Sequence, residues 1–285
     1  MEERGTKDNP RHILSISGGK DSAALAIYMS QTRNIEELEY VFMDTEQELK
    51  ETYDYLDKLE SILGCNIIRL KPKHSFEHYL KLHGNFLPSV RQRWCTINMK
   101  IKPFEEFVGQ DYIFSYIGIR ADESRDGYIS NQSNITPVYP FKEDGLIKAD
   151  IYRLLEDSGL SLPEYYKWRS RSGCYFCFYQ RKVEWLGLKE NHPDLYEKAK
   201  AFEKVDENTG KTFNWTDKGG LDELTKNPGI IRENHKKKMD SKMNSKKNKR
   251  LIDVYDREDP IEGYDTFSEV MRDEEEGEGC LICTL

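Results

Sequence analysis

The sequence lacks long hydrophobic runs. Only 37% of its 285 residues are hydrophobic, mean hydropathy is -0.78, and apolar stretches such as Val41-Phe42-Met43 end after a few residues. A membrane-spanning helix needs about 20 consecutive apolar residues, so we expect no membrane partner. The start of the chain is charged and has no apolar stretch before a small-residue cleavage site, which predicts a cytoplasmic protein.

The sequence also lacks an even distribution of charge. Its formal net charge of -8 excludes a uniformly basic nucleic-acid-binding protein. Residues 232–250 nevertheless hold nine Lys or Arg against two acidic residues, and residues 253–278 hold twelve Asp or Glu against two Arg. The basic block either neutralises nucleic-acid phosphates or forms a solvated linker that the acidic block offsets, and both interpretations stay open.

Apolar periodicity predicts an α/β fold. Short apolar runs that fit buried strands alternate with segments whose apolar residues recur at spacings of three and four, as on one face of a helix. Strands are predicted at 12–17, 39–44, 66–70 and 112–119, and helices at 21–30, 49–63, 102–108 and 147–158. The alternation indicates a doubly wound, mainly parallel sheet covered by helices.

Three regions are expected along the chain. Residues 1–160 form the α/β domain, and residues 161–228 form an irregular and helical region that contains cysteines and a helical stretch at 183–203. Residues 229–285 form a basic and then acidic tail that is partly disordered, because it has few large apolar residues.

A glycine-rich turn lies between the first predicted strand and helix and reads Ser17-Gly18-Gly19-Lys20-Asp21-Ser22. Glycines let the backbone approach a phosphate, and the amides and dipole of a helix N-terminus favour its negative charge. The spacing excludes a Walker A loop, since four residues before Gly-Lys are missing. A plain turn capped by Asp21 would not explain the hydroxyls and Lys20, so the pattern predicts a phosphate site.

This motif resembles the PP-loop of the N-type ATP pyrophosphatases, a superfamily that includes phosphoadenosine phosphosulfate (PAPS) reductases and tRNA thiolation enzymes. The resemblance implies an adenine nucleotide alpha hydrolase-like fold that binds ATP and Mg²⁺ and cleaves ATP between the α and β phosphates. It implies catalytic roles for Lys20 and Asp21. It also implies nucleotide binding by Ser15, Ser17, Gly18, Gly19, Lys20, Asp21 and Ser22.

Two further blocks resemble nucleotide-facing parts of the same superfamily. Asp44-Thr45 follows the second predicted strand, where an α/β sheet places ligand contacts and where the family commonly has Asp-Thr. Residues 117–125 resemble the Gly-Ile-Arg-x-x-Glu-Ser block of PAPS-reductase-like proteins, although alone they would fit a solvated, salt-bridged loop. The resemblance implies a catalytic role for Arg120, a metal or loop contact for Asp122 or Glu123, and nucleotide binding by Asp44, Thr45, Arg120, Glu123, Ser124 and Arg125.

Six cysteines in a chain expected to be cytoplasmic predict metal or redox chemistry rather than disulfides. The two residues between Cys174 and Cys177 suit ligation of one metal centre, although redox motifs share this spacing. Zinc held by this pair together with Cys280 and Cys283 is one hypothesis. Cys65 follows Gly64 in a predicted turn, where we expect it to be a small buried hydrophobe.

The segments around Cys95 and Cys174 resemble the cysteine blocks of PAPS-reductase-like proteins of the DNA phosphorothioation type. The resemblance covers roughly two thirds of the chain and implies an iron–sulfur cluster of the four-iron type, bound by Cys95, Cys174 and Cys177. Cys283 is the candidate fourth ligand, unless that iron stays open. Alternatively, the pair Cys280 and Cys283 in the tail supplies a mobile cysteine that attacks a substrate sulfur, as in some members of the family.

The resemblance implies an ATP-dependent sulfurtransferase that adenylates an acceptor oxygen, after which sulfur from a cysteine desulfurase partner displaces AMP. We expect DNA as the acceptor and other DNA-modification proteins as further partners, with Trp215 and the aromatics near Cys174 stacking on an unpaired base. The alternatives are a sulfonucleotide reductase with a thioredoxin-like partner, a tRNA thiolation enzyme acting on RNA, and a non-catalytic, metal-stabilised nucleic-acid-binding protein. The intact Lys20-Asp21 loop favours ATP over a nucleotide that lacks a pyrophosphate leaving group.

Overall fold

A computed structural model describes residues 4–33, 35–123, 132–205, 212–216 and 219–249. They fall into two compact units, which we treat separately. The first unit contains the described residues up to 164 together with 171–177, and the second contains residues 165–170 and the described residues from 178 onward. Within the described ranges, no helix has the length and apolar character needed to cross a membrane.

A five-stranded parallel sheet forms the centre of the first unit. Its strands are β1 Arg11–Ile16, β2 Leu38–Met43, β3 Ile68–Leu70, β4 Ile113–Tyr116 and β5 Ile135–Val138. The spatial order is β3-β2-β1-β4-β5, so the chain builds the sheet outward from β1 on one side and then on the other. This reversal creates a switch point between β1 and β4, where α/β sheets open a crevice at the carboxyl ends of the strands.

Helices cover both faces of this sheet. Their bounds are α1 Lys20–Thr32, α2 Lys50–Leu63, α3 Phe76–Leu82, α4 Trp94–Thr96, a π-helical turn Ile97–Ile101, α5 Lys102–Val108, α6 Pro140–Glu143 and α7 Lys148–Asp157. Side chains alternate across β1, so Leu14 packs in a core with α1, α2 and α7, whereas Ile13 packs in a second core with α5. The two cores confirm the predicted doubly wound α/β fold.

Five elements of this unit were not predicted, namely β5, α3, α4, the π-helical turn and α6. β5 has the sequence Ile-Thr-Pro-Val, and Pro137 interrupts the pattern of a strand. Proline is tolerated there because β5 is the edge strand of the sheet. By contrast, α5 has the predicted bounds, and β4 is shorter than predicted because the chain leaves the sheet after Tyr116.

The second unit is mainly helical. It contains α8 Lys182–Asn191, α9 Pro193–Lys200, a hairpin of β6 Lys204–Val205 and β7 Thr212–Phe213, α10 Leu221–Leu224 and α11 Pro228–Lys249. The single helical stretch expected at 183–203 is divided in two, because Pro193 cannot continue α8 and instead begins α9.

Trp215 belongs to the core of the second unit. Its indole N–H donates a hydrogen bond to the carbonyl of Ala199 at 2.8 Å, and the side chain is 7% exposed. The expectation that it stacks on a base is therefore wrong for this structure. The basic block also differs from the expected partly disordered tail, since α11 is helical through residue 249, while the acidic block lies outside the described residues.

Candidate active site

The loop after β1 is held by its own hydroxyl groups. Ser22 Oγ accepts a hydrogen bond from the Ser17 amide at 3.0 Å and donates one to the Gly19 carbonyl at 3.1 Å. Gly18 has a φ of +75°, and a Cβ at this residue would lie 2.5 Å from Thr52 Cγ2. The turn thus requires a residue without a side chain, both for its left-handed backbone and for its close approach to α2.

Three of the residues singled out in the sequence meet at the switch point of the sheet: Lys20, Asp21 and Arg120. Asp21 accepts from Lys20 Nζ at 2.9 Å and from Arg120 Nη1 at 2.8 Å. Arg120 also pairs with Asp122 and Glu123, each at 2.9 Å. The loop after β4 can approach α1 because Gly118 has no side chain, and a Cβ there would lie 3.0 Å from the Asp21 carbonyl oxygen.

The cations of this network are buried, and the network is anionic in sum. Lys20 is 2% exposed and Arg120 is 6% exposed, so both cations depend on their carboxylate partners for solvation. Burial alone would raise the pKa of Asp21, but the charges of Lys20 and then Arg120 outweigh it and lower the pKa to about 2. Burial alone would lower the pKa of Arg120, but the negative charges of Asp21, Glu123 and Asp122 outweigh burial and raise this pKa. Two cations thus face three carboxylates.

Buried hydroxyl groups surround this loop. Ser15 Oγ, Thr52 Oγ1 and Tyr55 OH are buried and have no hydrogen-bond partner among the described residues. Burial and, next, the charge of Asp21 raise the pKa of Tyr55, so its hydroxyl stays protonated and can donate. These donors and the loop amides fit a polar, anionic group such as a nucleotide phosphate. Sequence reasoning missed Thr52 and Tyr55, although their spacing of three predicts one face of α2.

Asp44 and Thr45 are both buried at the carboxyl end of β2. Asp44 Oδ1 accepts from the Glu46 amide at 2.9 Å and from the Tyr53 hydroxyl at 2.7 Å, so this carboxylate stabilises the turn that follows the strand. Thr45 Oγ1 donates to Glu48 Oε1 at 3.0 Å and lies 3.2 Å from Cys174 Sγ. The loop after β2 therefore contacts the cysteine segment directly.

Residues 171–177 bring Cys174 and Cys177 to the same edge of the sheet. Cys174 Sγ donates to Glu48 Oε1 at 3.6 Å, and the Tyr175 amide donates to the Gln47 carbonyl at 2.9 Å. The Cys177 amide donates to the Cys174 carbonyl at 3.0 Å and closes a tight turn. Burial and then the Glu48 carboxylate raise the pKa of the Cys174 thiol. Sequence reasoning missed Glu48, which has no motif signal beyond its place after Asp-Thr.

Aromatic packing connects the residue before Cys95 with the cysteine turn. The ring of Phe76 packs against Trp94, with centroids 5.2 Å apart, and against Phe176, with centroids 4.3 Å apart. Within the described ranges, however, no group of three or more His, Cys, Asp or Glu is arranged to hold a metal ion. The described residues thus provide a two-cysteine turn, not a preformed cluster site.

The remaining candidates have different outcomes. Cys65 is exposed, so the expectation of a buried residue is wrong; Gly64 ends α2 in the left-handed conformation and turns the chain outward before β3. Ser124, Arg125 and Cys283 lie outside the described residues.

The first unit is an α/β domain whose parallel sheet has a Gly-Gly-Lys turn and a buried ion-pair network at its switch point. Domains of this class bind anionic ligands at the carboxyl ends of their strands. Residues 11–139 of this chain match the family model of the phosphoadenosine phosphosulfate reductase domain. This match covers less than half of the chain and agrees with the resemblance carried by the PP-loop motif.

Individual proteins are similar to parts of this chain. An uncharacterised protein of Methanocaldococcus jannaschii is 31% identical over 200 residues, which cover 65% of this chain and 45% of that protein. The adenosine 5'-phosphosulfate reductase of Bacillus cereus is 34% identical over 85 residues, covering 30% of this chain and 36% of the reductase. The chain thus spans less than half the length of these relatives.

Among solved structures, the PAPS reductase of Candida auris in a phosphate complex has a TM-score of 0.42 at 19% identity. The superposition covers 54% of this chain and 76% of that one.

Proposed function

We propose that this protein is an ATP pyrophosphatase that adenylates an acceptor oxygen during ATP-dependent sulfur insertion. One observation carries the proposal: Lys20, Asp21 and Arg120 form a buried network at the start of α1, at the switch point of the sheet. A reaction that releases pyrophosphate needs positive charge and amide donors where the β and γ phosphates lie, and this loop supplies both.

In the proposed reaction an acceptor oxygen attacks the α-phosphorus, the bond to the bridging oxygen of the β phosphate breaks, and pyrophosphate leaves. Lys20 turns from Asp21 toward the leaving phosphates, while Arg120 keeps Asp21 neutralised. Bound Mg²⁺ would offset charge on the phosphates, and Asp122 and Glu123, which pair with Arg120, are the carboxylates that would hold it. The buried Tyr55 hydroxyl donates to the nucleotide.

The outer sulfur of a persulfide then attacks the activated acceptor, AMP leaves with the former acceptor oxygen, and a thiol reductant cleaves the remaining S–S bond so that one sulfur stays on the acceptor. We propose a cysteine desulfurase as the sulfur donor and a DNA backbone phosphate as the acceptor. A four-iron cluster on Cys95, Cys174 and Cys177, with Cys283 as the candidate fourth ligand, would supply iron–sulfur chemistry beside the nucleotide. In support, Cys174 hydrogen-bonds to the loop that follows Asp44.

A sulfonucleotide reductase is the second candidate. The domain match and the Bacillus cereus relative favour it, since both carry the name of such a reductase. Against it stands the intact Lys20-Asp21 pair, which a substrate without a pyrophosphate leaving group would not require.

Pyrophosphate release separates the candidates. Anaerobically purified protein is incubated with radiolabelled ATP in the presence and absence of DNA, and Lys20→Ala and Asp21→Ala are compared with Lys58→Ala, an exposed lysine of α2. We expect release by the native protein and the control, and a loss of about 100-fold or more in the two loop variants. No release from ATP, together with sulfite formation from PAPS, would reject the proposal in favour of the reductase.

A further inference from the structure

We propose that the first unit docks single-stranded nucleic acid on a surface built from residues 74–93, which we call the basic face. This inference rests on the proposed function, because it assigns a place to the acceptor. The residues that carry it are Lys81, Arg91 and Phe86, with the stacked pair His74 and His78 beside them.

The charge of this part of the chain is unusual. Residues 71–102 contain seven Lys or Arg and a single acidic residue, Glu77, in a chain whose net charge is -8. These cations are interspersed with apolar residues and form no run, unlike those at 232–250. A polyanion gains affinity wherever such cations are exposed, because each phosphate contact releases bound counterions.

Exposure and pairing divide these cations into two groups. Lys71 and Lys73 already form ion pairs, with Glu46 at 2.6 Å and with Glu106 at 2.7 Å. Lys81 and Arg91 are exposed and, in the described part of the chain, take part in no ion pair or side-chain hydrogen bond. They can therefore bind phosphate without first breaking a contact within the protein.

Apolar and aromatic groups lie among the unpaired cations. Four of the ten exposed large hydrophobic side chains in the described ranges fall between residues 82 and 97: Leu82, Phe86, Val90 and Ile97. Phe86 is 47% exposed, and the rings of His74 and His78 stack with centroids 4.1 Å apart. Exposed rings beside cations are the combination that binds unpaired bases by stacking and their backbone by charge.

The loop that presents these groups is internally braced. Trp94 Nε1 donates to the Phe86 carbonyl at 3.0 Å, and Ser89 and Gln92 exchange two amide-to-carbonyl hydrogen bonds of 3.1 Å. A braced loop loses little conformational entropy on binding.

The basic face also adjoins the cysteine segments. Trp94 is followed directly by Cys95, and Phe76 packs against both Trp94 and Phe176, the residue before Cys177. A strand bound on the basic face therefore runs past the edge of the site proposed for sulfur transfer. The lysines of α11 belong to the other unit, so the two basic regions can be tested independently.

Fluorescence anisotropy with a labelled single-stranded oligodeoxynucleotide tests the assignment. The Lys81→Glu/Arg91→Glu variant is compared with two double reversals of equal charge change at exposed lysines: Lys7→Glu/Lys58→Glu in the first unit and Lys236→Glu/Lys238→Glu in α11. We expect the basic-face variant to lose about tenfold or more in affinity, with the slope of log K against log salt smaller by about 1.4, as for two lost phosphate contacts. We expect Lys7→Glu/Lys58→Glu to change affinity less than about twofold.

A Phe86→Ala variant tests the stacking part separately, and we expect about a fivefold or greater loss of affinity at an unchanged salt slope. Circular dichroism melting controls for folding.

The inference is wrong if the basic-face variant binds like the Lys7→Glu/Lys58→Glu control, or if only the α11 variant loses binding. Pyrophosphate release by the native protein in the presence of nucleic acid is scored separately: its absence refutes the proposed activity and leaves docking on Lys81 and Arg91 standing.

Discussion

The ion-pair network and the cysteine turn lie at the same edge of one sheet, yet they differ in how far the protein alone assembles them. Lys20, Asp21 and Arg120 are already joined by contacts of 2.8–2.9 Å. The thiols are not so joined, since the described residues include no group of three metal-binding side chains. Opposite charges can satisfy one another without a ligand, whereas neighbouring thiolates repel and converge only around a metal. The half proposed to bind the nucleotide is therefore preorganised by the fold, whereas the half proposed to hold the cluster would need that cofactor to assemble.

The strongest way to break this contrast is to remove a cation from the network. Arg120→Met leaves Asp21, Asp122 and Glu123 without their shared partner, and we expect the free energy of unfolding to fall by about 3–5 kcal/mol. Arg153→Met removes an exposed cation 3.4 Å from Asp150 and should change it by less than about 1 kcal/mol. Urea denaturation measures both. Equal effects would show that Arg120 has no special structural role.

Adding one methyl group to the loop tests its packing. Gly18→Ala forces a Cβ to 2.5 Å from Thr52 Cγ2 at a φ of +75°, and we expect a loss of about 2–4 kcal/mol of stability. Gly145→Ala has a φ of +72° and no atom within 4 Å of the new Cβ, so it should cost only the backbone part, about 1–2 kcal/mol. Thr52→Ser removes the clashing methyl group and should restore part of the loss in Gly18→Ala. No restoration would mean that the steric explanation is wrong.

Acid should weaken the same network. The folded-state pKa of Asp21, about 2, lies below the ordinary value of 3.8, so its contribution is fully present above about pH 4 and is lost as the pH falls through 2. A shift of this size corresponds to about 2 kcal/mol. We expect the unfolding free energy of Asp21→Asn to fall less steeply than that of the native protein between pH 4 and pH 2, as followed by urea denaturation. Parallel curves would show that Asp21 does not titrate as the structure indicates.

The smallest effect on the stability of the cofactor-free protein is expected at the cysteine turn. Cys177→Ala should change that stability by about 1 kcal/mol or less, yet abolish iron retention after anaerobic reconstitution. Cys65→Ala, which alters an exposed cysteine outside the proposed cluster, should retain iron normally. Iron content per chain decides the matter, and normal retention in Cys177→Ala would remove this residue from the ligand set.

The sequence predicts the layout of the sheet well because β1 and β2 are short apolar runs followed by amphipathic helices. It does not predict the contacts that define the site, since Tyr55 and Glu48 acquire their meaning only when α2 and the loop after β2 pack beside residues distant in the chain. It also misleads about Cys65, because the periodicity cannot show which way the chain leaves Gly64. The basic face escapes notice in the sequence because its cations are spread among apolar residues and form no run.

The pairing of β1 with β4 also has a consequence for the order of folding. Arg11 pairs with Ile113, and the contact between Asp21 and Arg120 spans 99 residues, so the network closes a long loop. Closing so long a loop costs entropy before any contact compensates, which places this step late in folding. On a ribosome, it must wait until the chain beyond Arg120 has emerged. The ion-pair network thus forms together with the centre of the sheet and not before it.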